Sequence, residues 1–463
     1  MPFHTFNVPA DALNTKVTAS LFGLGLVNIK DEVKSNAIGQ AYFYRAFAYL
    51  WLCPWYGDNG PINGGIPIMT ENTPLDDMDQ KRPTSVLANY DMIISDMEEA
   101  AKRLPLLSKL ADVDYGRPYK TAAWAFGARA ALYAAQYDAE NTSNPYYAKV
   151  IALCDSIINL EGDDKRELHY RTAGSDTSFG LKPSNFSDLF RMENNFSKEY
   201  IFSLLGNEMR GAKFYGMFFN GGGFGYYNTW GYFMPTLSLY NAFEQGDTRR
   251  DATILSPDQH IQFIGHDIHW GVNPAIIYSE SGMTTRKFMS IFEAADCVGK
   301  YVNVNGNNQT TRMGIHLIRY ADILLMQAEA LIWTGQNLST ALNWLNKIRD
   351  RASDGTLPPL TVATKEALKK ERRREFAFEF LPSRHLDLVR WKDAQATYAE
   401  PTKGWSVKLK KVTVDGKEVD AFDKVDTVIV RESRNFNPEV HHVFPIPAAQ
   451  VDKSKNLTQN YGY

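Results

Sequence analysis

Small residues at close helical spacing constrain this chain more than any other feature. YKTAAWAFGARAALYAAQY begins at Tyr119, and PYYAKVIALCDSIIN returns from Pro145 after a polar NTSN turn. Alanine and glycine on facing surfaces let two helices approach closely, and the aromatics near each end fill the space that remains. The pair predicts a helical hairpin of the tetratricopeptide kind, in which paired helices stack into a superhelix. The design recurs. IHLIRYADILLMQAEALIWTG predicts a helix carrying Leu324, Ala328, Leu331 and Gly335, and LSTALNWLNKIRDRA a partner carrying Ala341, Leu345 and Ile348. Two such hairpins in one chain favour a repeat scaffold over a simple bundle.

Other helices follow from the same periodicity. Ser35 to Cys53 shows Phe43, Phe47, Leu50 and Leu52 on one face, closed by Pro54 and Gly57. In RPTSVLANYDMIISDMEEAAKRLP, Thr84 is the expected N-cap, Val86, Tyr90, Ile93, Ile94 and Met97 keep helical spacing, and Pro105 ends the run. Thr364 to Phe380 predicts one more helix. Between these blocks, 163–188 and 209–309 are rich in Gly, Asn, Ser and aromatics and show little periodicity. KLKKVTVDGKEVDAF predicts a β-hairpin turning at Asp415 and Gly416, VIVRE a strand, and His441 and His442 strand positions before a proline-punctuated tail. The expected fold is mostly α in a single domain over 1–463: a tetratricopeptide-like helical-repeat scaffold at about 35–160 and 312–395, a large irregular loop-rich region at about 161–311, and a minor β-hairpin with the tail at 396–463.

Composition narrows the function classes. A net charge of -3 with well-mixed signs argues against a nucleic-acid binder. Cys53, Cys154 and Cys297 lie far apart and form no CxxC pair, so neither a disulfide framework nor a thiolate metal site is expected. No apolar run is long enough for a transmembrane helix. MPFHTFNVPADALN lacks the charged and apolar regions of a signal peptide.

The chemistry concentrates in FFNGGGFGYYNTWGYF, residues 218–233, which holds eight aromatics and five glycines where the chain average is 13% aromatic. Recognition of a sugar needs flat apolar faces with hydrogen-bonding groups beside them. Tyr226, Tyr227, Asn228, Trp230 and Tyr232 supply both, while Phe218, Phe219 and Phe224 lack polar handles and are expected to pack. Packing of the loop on its own scaffold explains the same rings equally well. FIGHDIHWGVNP adds Trp270 as a second platform; its His266, Asp267 and His269 match no standard metal spacing, so no metal is expected. DNGPINGG offers Asp58, Asn59 and Asn63 as polar partners, for which turn chemistry is the plainer account. Arg372, Arg373 and Arg374 alternate with Glu371, Glu375 and Glu379, so ion pairs on and between helices account for them. A glycoside hydrolase needs two carboxylates about the scissile bond. Near the aromatic segment the candidates are Glu208, Glu244, Asp247 and Asp251, the last two beside arginines that would pair them, and no hydrolase, P-loop or dinucleotide fingerprint appears. No cofactor is expected.

Five segments, in order, carry a family resemblance. AYFYRAFAYLWLCPWYGDNGP resembles the helix and YGD signature of the SusD-like (RagB/SusD) family. PTLSLYNAFEQGDTRRD resembles the stretch after its variable loops, and YADILLMQAEALIWTGQ with ALNWLNKIRDRA its late tetratricopeptide pair. ERRREFAFEFLPSRHLDLVRW is similar to its arginine-rich helix, and VFPIPAAQVDKSKNLTQNYGY to its C-terminal signature. The resemblance implies a non-catalytic, lipid-anchored protein of the outer-membrane surface. Such a protein binds oligosaccharides, or in some members peptides, and lies over a SusC-like TonB-dependent transporter. It further implies that the loop at Asp58, Asn59 and Asn63 borders the ligand, that the helical part faces the transporter, and that the loop-rich half carries the site. Members begin with a lipidated cysteine and a further helical segment. Residues 1–40 contain no cysteine, so that lipoprotein segment is expected to be absent from this sequence, either removed or naturally shortened, and membrane association is expected only through the lipid anchor of a full-length form.

Overall fold

The computed structural model describes residues 30–59, 64–74, 76–172, 184–191, 194–205, 233–257, 260–263, 266–269, 279–288, 302–305, 308–311, 314–414 and 416–463. The chain forms two compact units. The first comprises Met1–Lys165, Val389–Lys392 and Asn437–Tyr463; the second comprises Arg166–Leu388 and Asp393–Phe436. Helices dominate the described residues, and none of them is long and apolar enough to cross a membrane.

In the first unit, α1 (Asp31–Tyr56), α2 (Leu87–Arg103), α3 (Lys120–Ala135) and α4 (Pro145–Ile158) pack in sequence order, each on the next. The α3–α4 hairpin forms as the small-residue spacing predicts. Gly127 lies where a Cβ would stand 3.2 Å from Leu153, and Asn144 caps α4 by accepting the Tyr146 N–H at 3.0 Å, with Pro145 in the first turn. Phe43, Phe47 and Phe126 interlock at centroid distances of 5.1–6.0 Å in the α1–α3 core.

Two helix ends differ from the sequence reading. α1 runs through Pro54 to Tyr56, because a proline in the last turn forfeits only its own N–H; the Gly57 N–H still reaches Cys53 O at 3.0 Å. Val86, not Thr84, is the N-cap of α2; just before it Ser85 Oγ accepts the Leu87 N–H at 3.0 Å, and the Ser85 carbonyl accepts from Ala88.

The second unit contains the other hairpin, α5 (Tyr320–Thr334) and α6 (Leu338–Ser353), with α7 (Lys365–Glu375) packed on both. Gly335 ends α5 in the left-handed region at φ 70°, which only glycine adopts freely. Thr364 Oγ1 accepts the Ala367 N–H at 3.1 Å and caps α7, which stops at Glu375 rather than Phe380. IHLIR is a strand and not the first turns of α5: β2 (Ile315–Arg319) pairs antiparallel with β1 (Tyr200–Leu204). Its β-branched Ile315 and Ile318 suit a pleated partner 113 residues away, Ser203 to His316, which local periodicity does not reveal. The hairpin is longer than expected. β3 (Thr402–Val414) and β4 (Lys417–Arg431) form one two-stranded ribbon, with VIVR continuing β4 as far as Thr402. His441 and His442 lie in a turn, not a strand.

Candidate functional site

Tyr226, Tyr227, Asn228, Trp230, Tyr232, Trp270 and Asn63 lie outside the described residues, as do Phe218, Phe219 and Phe224. The structure describes β1, which ends at Leu204, before the aromatic segment, and the segment's last residue. Tyr200, Ile201 and Phe202 of β1 are buried, and Phe233, that last residue, is exposed and its carbonyl accepts Thr285 Oγ1–H at 2.9 Å. Thr284–Thr285 pairs in turn with Ile254–Leu255. Of the HDxH cluster, only the backbone pairing is described: His266–His269 runs antiparallel to His260–Phe263.

Beneath β1 lies a buried charge network that the sequence reading located only in part. Glu375, on α7, meets Arg319 at 2.6 Å, Arg249 at 3.0 Å and Arg351. Glu199, the residue before β1, meets Arg319 at 2.6 Å and Arg351 at 2.8 Å. Glu379 joins Arg319 at 2.8 Å to the Lys287 ammonium at 2.7 Å, and Asp247 holds Arg249 at 2.7 Å. Burial alone would raise the Glu375 carboxyl, yet Arg351, Arg319 and Arg249 together hold it well below the usual carboxylate range. Burial pushes the Lys287 ammonium down to about 8, with Glu379 opposing the shift. The interleaving of arginine and glutamate at 371–379 does signal ion pairing, within α7 as Arg374 to Glu371 at 3.4 Å and between elements at Arg249, Arg319 and Arg351. Glu199, Arg319 and Arg351 carry no such local signal, because their partners are remote in sequence.

Three of the four carboxylates near the aromatic segment are paired. Glu244 meets Arg349 at 2.9 Å and Arg374 at 2.6 Å; its hydrogen bond to Arg349 brings its pKa down to about 2 despite partial burial. Asp247 holds Arg249, and Asp251 holds Arg250 at 2.9 Å. Glu208 lies outside the described residues. A Ser–His–Asp set does occur: His169 stands between Asp188 at 2.8 Å and Ser197 at 3.0 Å. There Ser197 Oγ accepts the Glu199 N–H at 3.3 Å and Asp188 accepts from Asn194 at 3.1 Å, so the set fastens the turn leading into β1.

In the first unit, Asp58 and Asn59 follow α1 at the YGD corner. Gly57 is required there, since a Cβ would stand 2.5 Å from Val86. Asp58 is half-buried: its N–H donates to Gly64 O and its carbonyl accepts from Val86, both at 2.8 Å, while Oδ2 lies 3.1 Å from His442 Nε2. Asn59 is exposed and accepts Ser85 Oγ–H at 2.5 Å. The same corner receives Arg82 and the C-terminal signature segment. Arg82 donates to Tyr56 O, Gly64 O, Gly65 O, Thr458 O and Asn460 Oδ1 at 2.7–3.1 Å. Asn460 is buried and donates to Tyr56 O at 3.1 Å and Phe444 O at 2.8 Å.

Comparison with known proteins gives a match to the SusD family over residues 198–463 and a second, to a family described as starch-binding and associating with the outer membrane, over residues 15–132. The chain is 24% identical to the SusD-like protein P2 of Formosa agariphila over 457 residues, covering 94% of this chain and 75% of that protein. Among solved structures it resembles a SusD-like carbohydrate-binding protein of Bacteroides fragilis, with a TM-score of 0.70, 22% identity, and coverage of 95% of this chain and 82% of that one. It also resembles surface glycan-binding protein A of Bacteroides thetaiotaomicron in complex with laminarihexaose, with a TM-score of 0.64, 18% identity, and coverage of 96% and 82%. At such identities the structural likeness speaks for the fold.

Proposed function

The chain belongs to the SusD family, and from that premise we propose that it captures glycans at the cell surface without converting them and delivers them to a TonB-dependent outer-membrane transporter. The observation that carries the reading is the family match over 198–463, which spans the aromatic segment at 218–233. Rings with polar handles provide stacking faces and directional hydrogen bonds of the kind sugars need. Solved relatives described as carbohydrate-binding, one of them holding laminarihexaose, support glycans over other nutrients. The ion pairing of Glu244, Asp247 and Asp251 supports capture without hydrolysis, because a carboxylate engaged by a guanidinium is poorly placed to shuttle protons. The second matched family, described as associating with the outer membrane, supports the location.

Calorimetry and affinity electrophoresis against a glycan panel test the reading. At least one glycan is expected to bind, to be recovered unchanged, and to lose about tenfold or more in affinity on Trp230→Ala or Tyr227→Ala. Failure of every glycan to bind, or turnover of the bound one, overturns it.

A further inference from the structure

A second aromatic corner stands on well-fixed elements of the second unit. Tyr240 closes a short helix, Leu237–Tyr240, capped by Thr236 Oγ1, which accepts the Leu239 N–H at 3.1 Å. Trp405 lies in β3, its ring centroid 4.7 Å from that of Tyr240 and the planes 74° apart. Both rings pack against the apolar cluster of Phe243, Ile254 and Met283, yet both remain only half-buried.

Their positions are tightly set. The Trp405 N–H donates to Ser281 O at 3.0 Å, and at Gly404 a Cβ would stand 2.5 Å from Ser281 Cα. The turn at Ser281 also touches the end of the aromatic segment, since Ser279 Oγ lies 3.6 Å from Met234 Sδ and accepts the Met283 N–H at 3.1 Å. The corner therefore adjoins the exit of the segment proposed to hold glycan.

Two cations lie over these rings. The Lys424 ammonium is 4.2 Å from the Trp405 centroid and 5.9 Å from that of Tyr240, and the Arg250 guanidinium is 5.2 Å from Tyr240. A tryptophan that served only to anchor the ribbon would be as well placed fully buried. Here the exposed remainder of two rings is coupled to two positive groups, one of them on the exposed Lys424. Flat apolar faces meet the C–H side of a sugar ring, and an ammonium meets a carboxylate or sulfate on that ring.

We propose that Tyr240, Trp405 and Lys424 form a subsite for an acidic sugar, in which the sugar ring packs on the exposed part of the aromatic pair and its anionic substituent is held by the Lys424 ammonium, beside Arg250, whose guanidinium is already paired with Asp251 at 2.9 Å. This rests on the glycan-binding reading and narrows the glycan class to one bearing uronate or sulfate groups.

The test is calorimetry on the full chain with three probes: laminarihexaose as the neutral sugar, an oligogalacturonate, and a sulfated carrageenan oligosaccharide. One of the two acidic probes is expected to bind more tightly than the neutral one, and which of them does so distinguishes carboxylate from sulfate. Binding should weaken as salt rises, and Lys424→Ala should cost about tenfold in affinity for the acidic probe. Trp405→Ala should lower affinity further. Because Trp405 also packs, Lys424→Glu on an exposed side chain decides the matter if that variant fails to fold. Equal affinity of wild type and Lys424→Glu for an acidic probe overturns the subsite. Wild-type binding to neutral glycans alone also overturns it, yet leaves glycan capture standing. Failure of every glycan to bind overturns both.

Discussion

Glu375 shows how far a single residue can be read from sequence. The alternation of arginine and glutamate in ERRREFAFE announces ion pairs, but the three guanidiniums that converge on this carboxylate come from 249, 319 and 351. Asp247 marks Arg249 as an ion-pairing residue, but nothing local marks its bond to Glu375, since a partner across 126 positions leaves no periodic trace, and Arg319 and Arg351 carry no local sign at all. His316 carries an equally hidden property. It lies in β2, stacked on Tyr200 with centroids 3.4 Å apart, and its Nδ1 is 2.7 Å from Ser203 Oγ. Burial pushes its pKa from 6.5 down to about 3, and the nearby Arg319 adds to the shift. Above pH 6.5 both folded and unfolded chains keep the ring neutral, and the group costs nothing. Below it the unfolded chain takes up a proton that the folded chain refuses, so stability falls as pH drops from 6.5 toward about 3. The slope from this one site is about 1.4 kcal/mol per pH unit. Urea unfolding of wild type and His316→Asn from pH 7.5 to 5 should give curves whose separation shrinks on acidification. Parallel curves would show that the ring is protonated in the folded state.

At the level of elements, the helical hairpins were the most legible part of the chain because helix–helix approach depends on residues three and four apart, within the reach of local pattern. The YGD corner was legible as a turn: Asp58 bonds to Gly64 six residues on, whereas Asn59 accepts from Ser85, 26 residues away. Strand pairing was less so. The pairing of Val414 with Lys417 agrees with the expected hairpin, but the ribbon continues to Thr402 and Arg431 through register shifts that no alternation of side chains encodes. Gly404 is the residue that lets the ribbon meet its unit, because Ser281 Cα, C and O would all lie within 2.5–2.9 Å of an added Cβ. Those are backbone atoms and cannot swing aside. Gly404→Ala is expected to lower stability by about 1–3 kcal/mol, and to free the Trp405 N–H from Ser281. Hydrogen exchange should then be faster at Trp405 and along the root of β3 than in wild type. Unchanged protection there would mean that the turn at Ser281 yields without cost.

Over the whole molecule, signature segments far apart in sequence serve a shared purpose in the first unit. The YGD corner supplies the Tyr56 and Gly64 carbonyls, the C-terminal tail supplies the Thr458 carbonyl and the Asn460 side chain, and Arg82 bonds to all of them. Gln459 adds a reciprocal pair with Ile446, its Oε1 accepting the N–H at 2.7 Å and its Nε2 donating to the carbonyl at 2.8 Å. Asp79 holds the tail one turn earlier by accepting the Lys455 N–H at 2.7 Å. These bonds span about 375 residues of sequence, so the tail's polar residues read as a solvated end until the fold is seen. The geometry requires a guanidinium: five acceptors lie around one planar group, whereas an ammonium has three donors and no fixed plane. Arg82→Lys is therefore expected to behave nearly as Arg82→Ala, each costing about 3 kcal/mol as carbonyls lose a charged donor. In both variants limited proteolysis should remove the tail from about residue 454 onward faster than in wild type, while hydrogen exchange in α5, α6 and α7 stays unchanged. Full recovery of tail protection by Arg82→Lys would show that charge alone, rather than the planar array of donors, closes the unit.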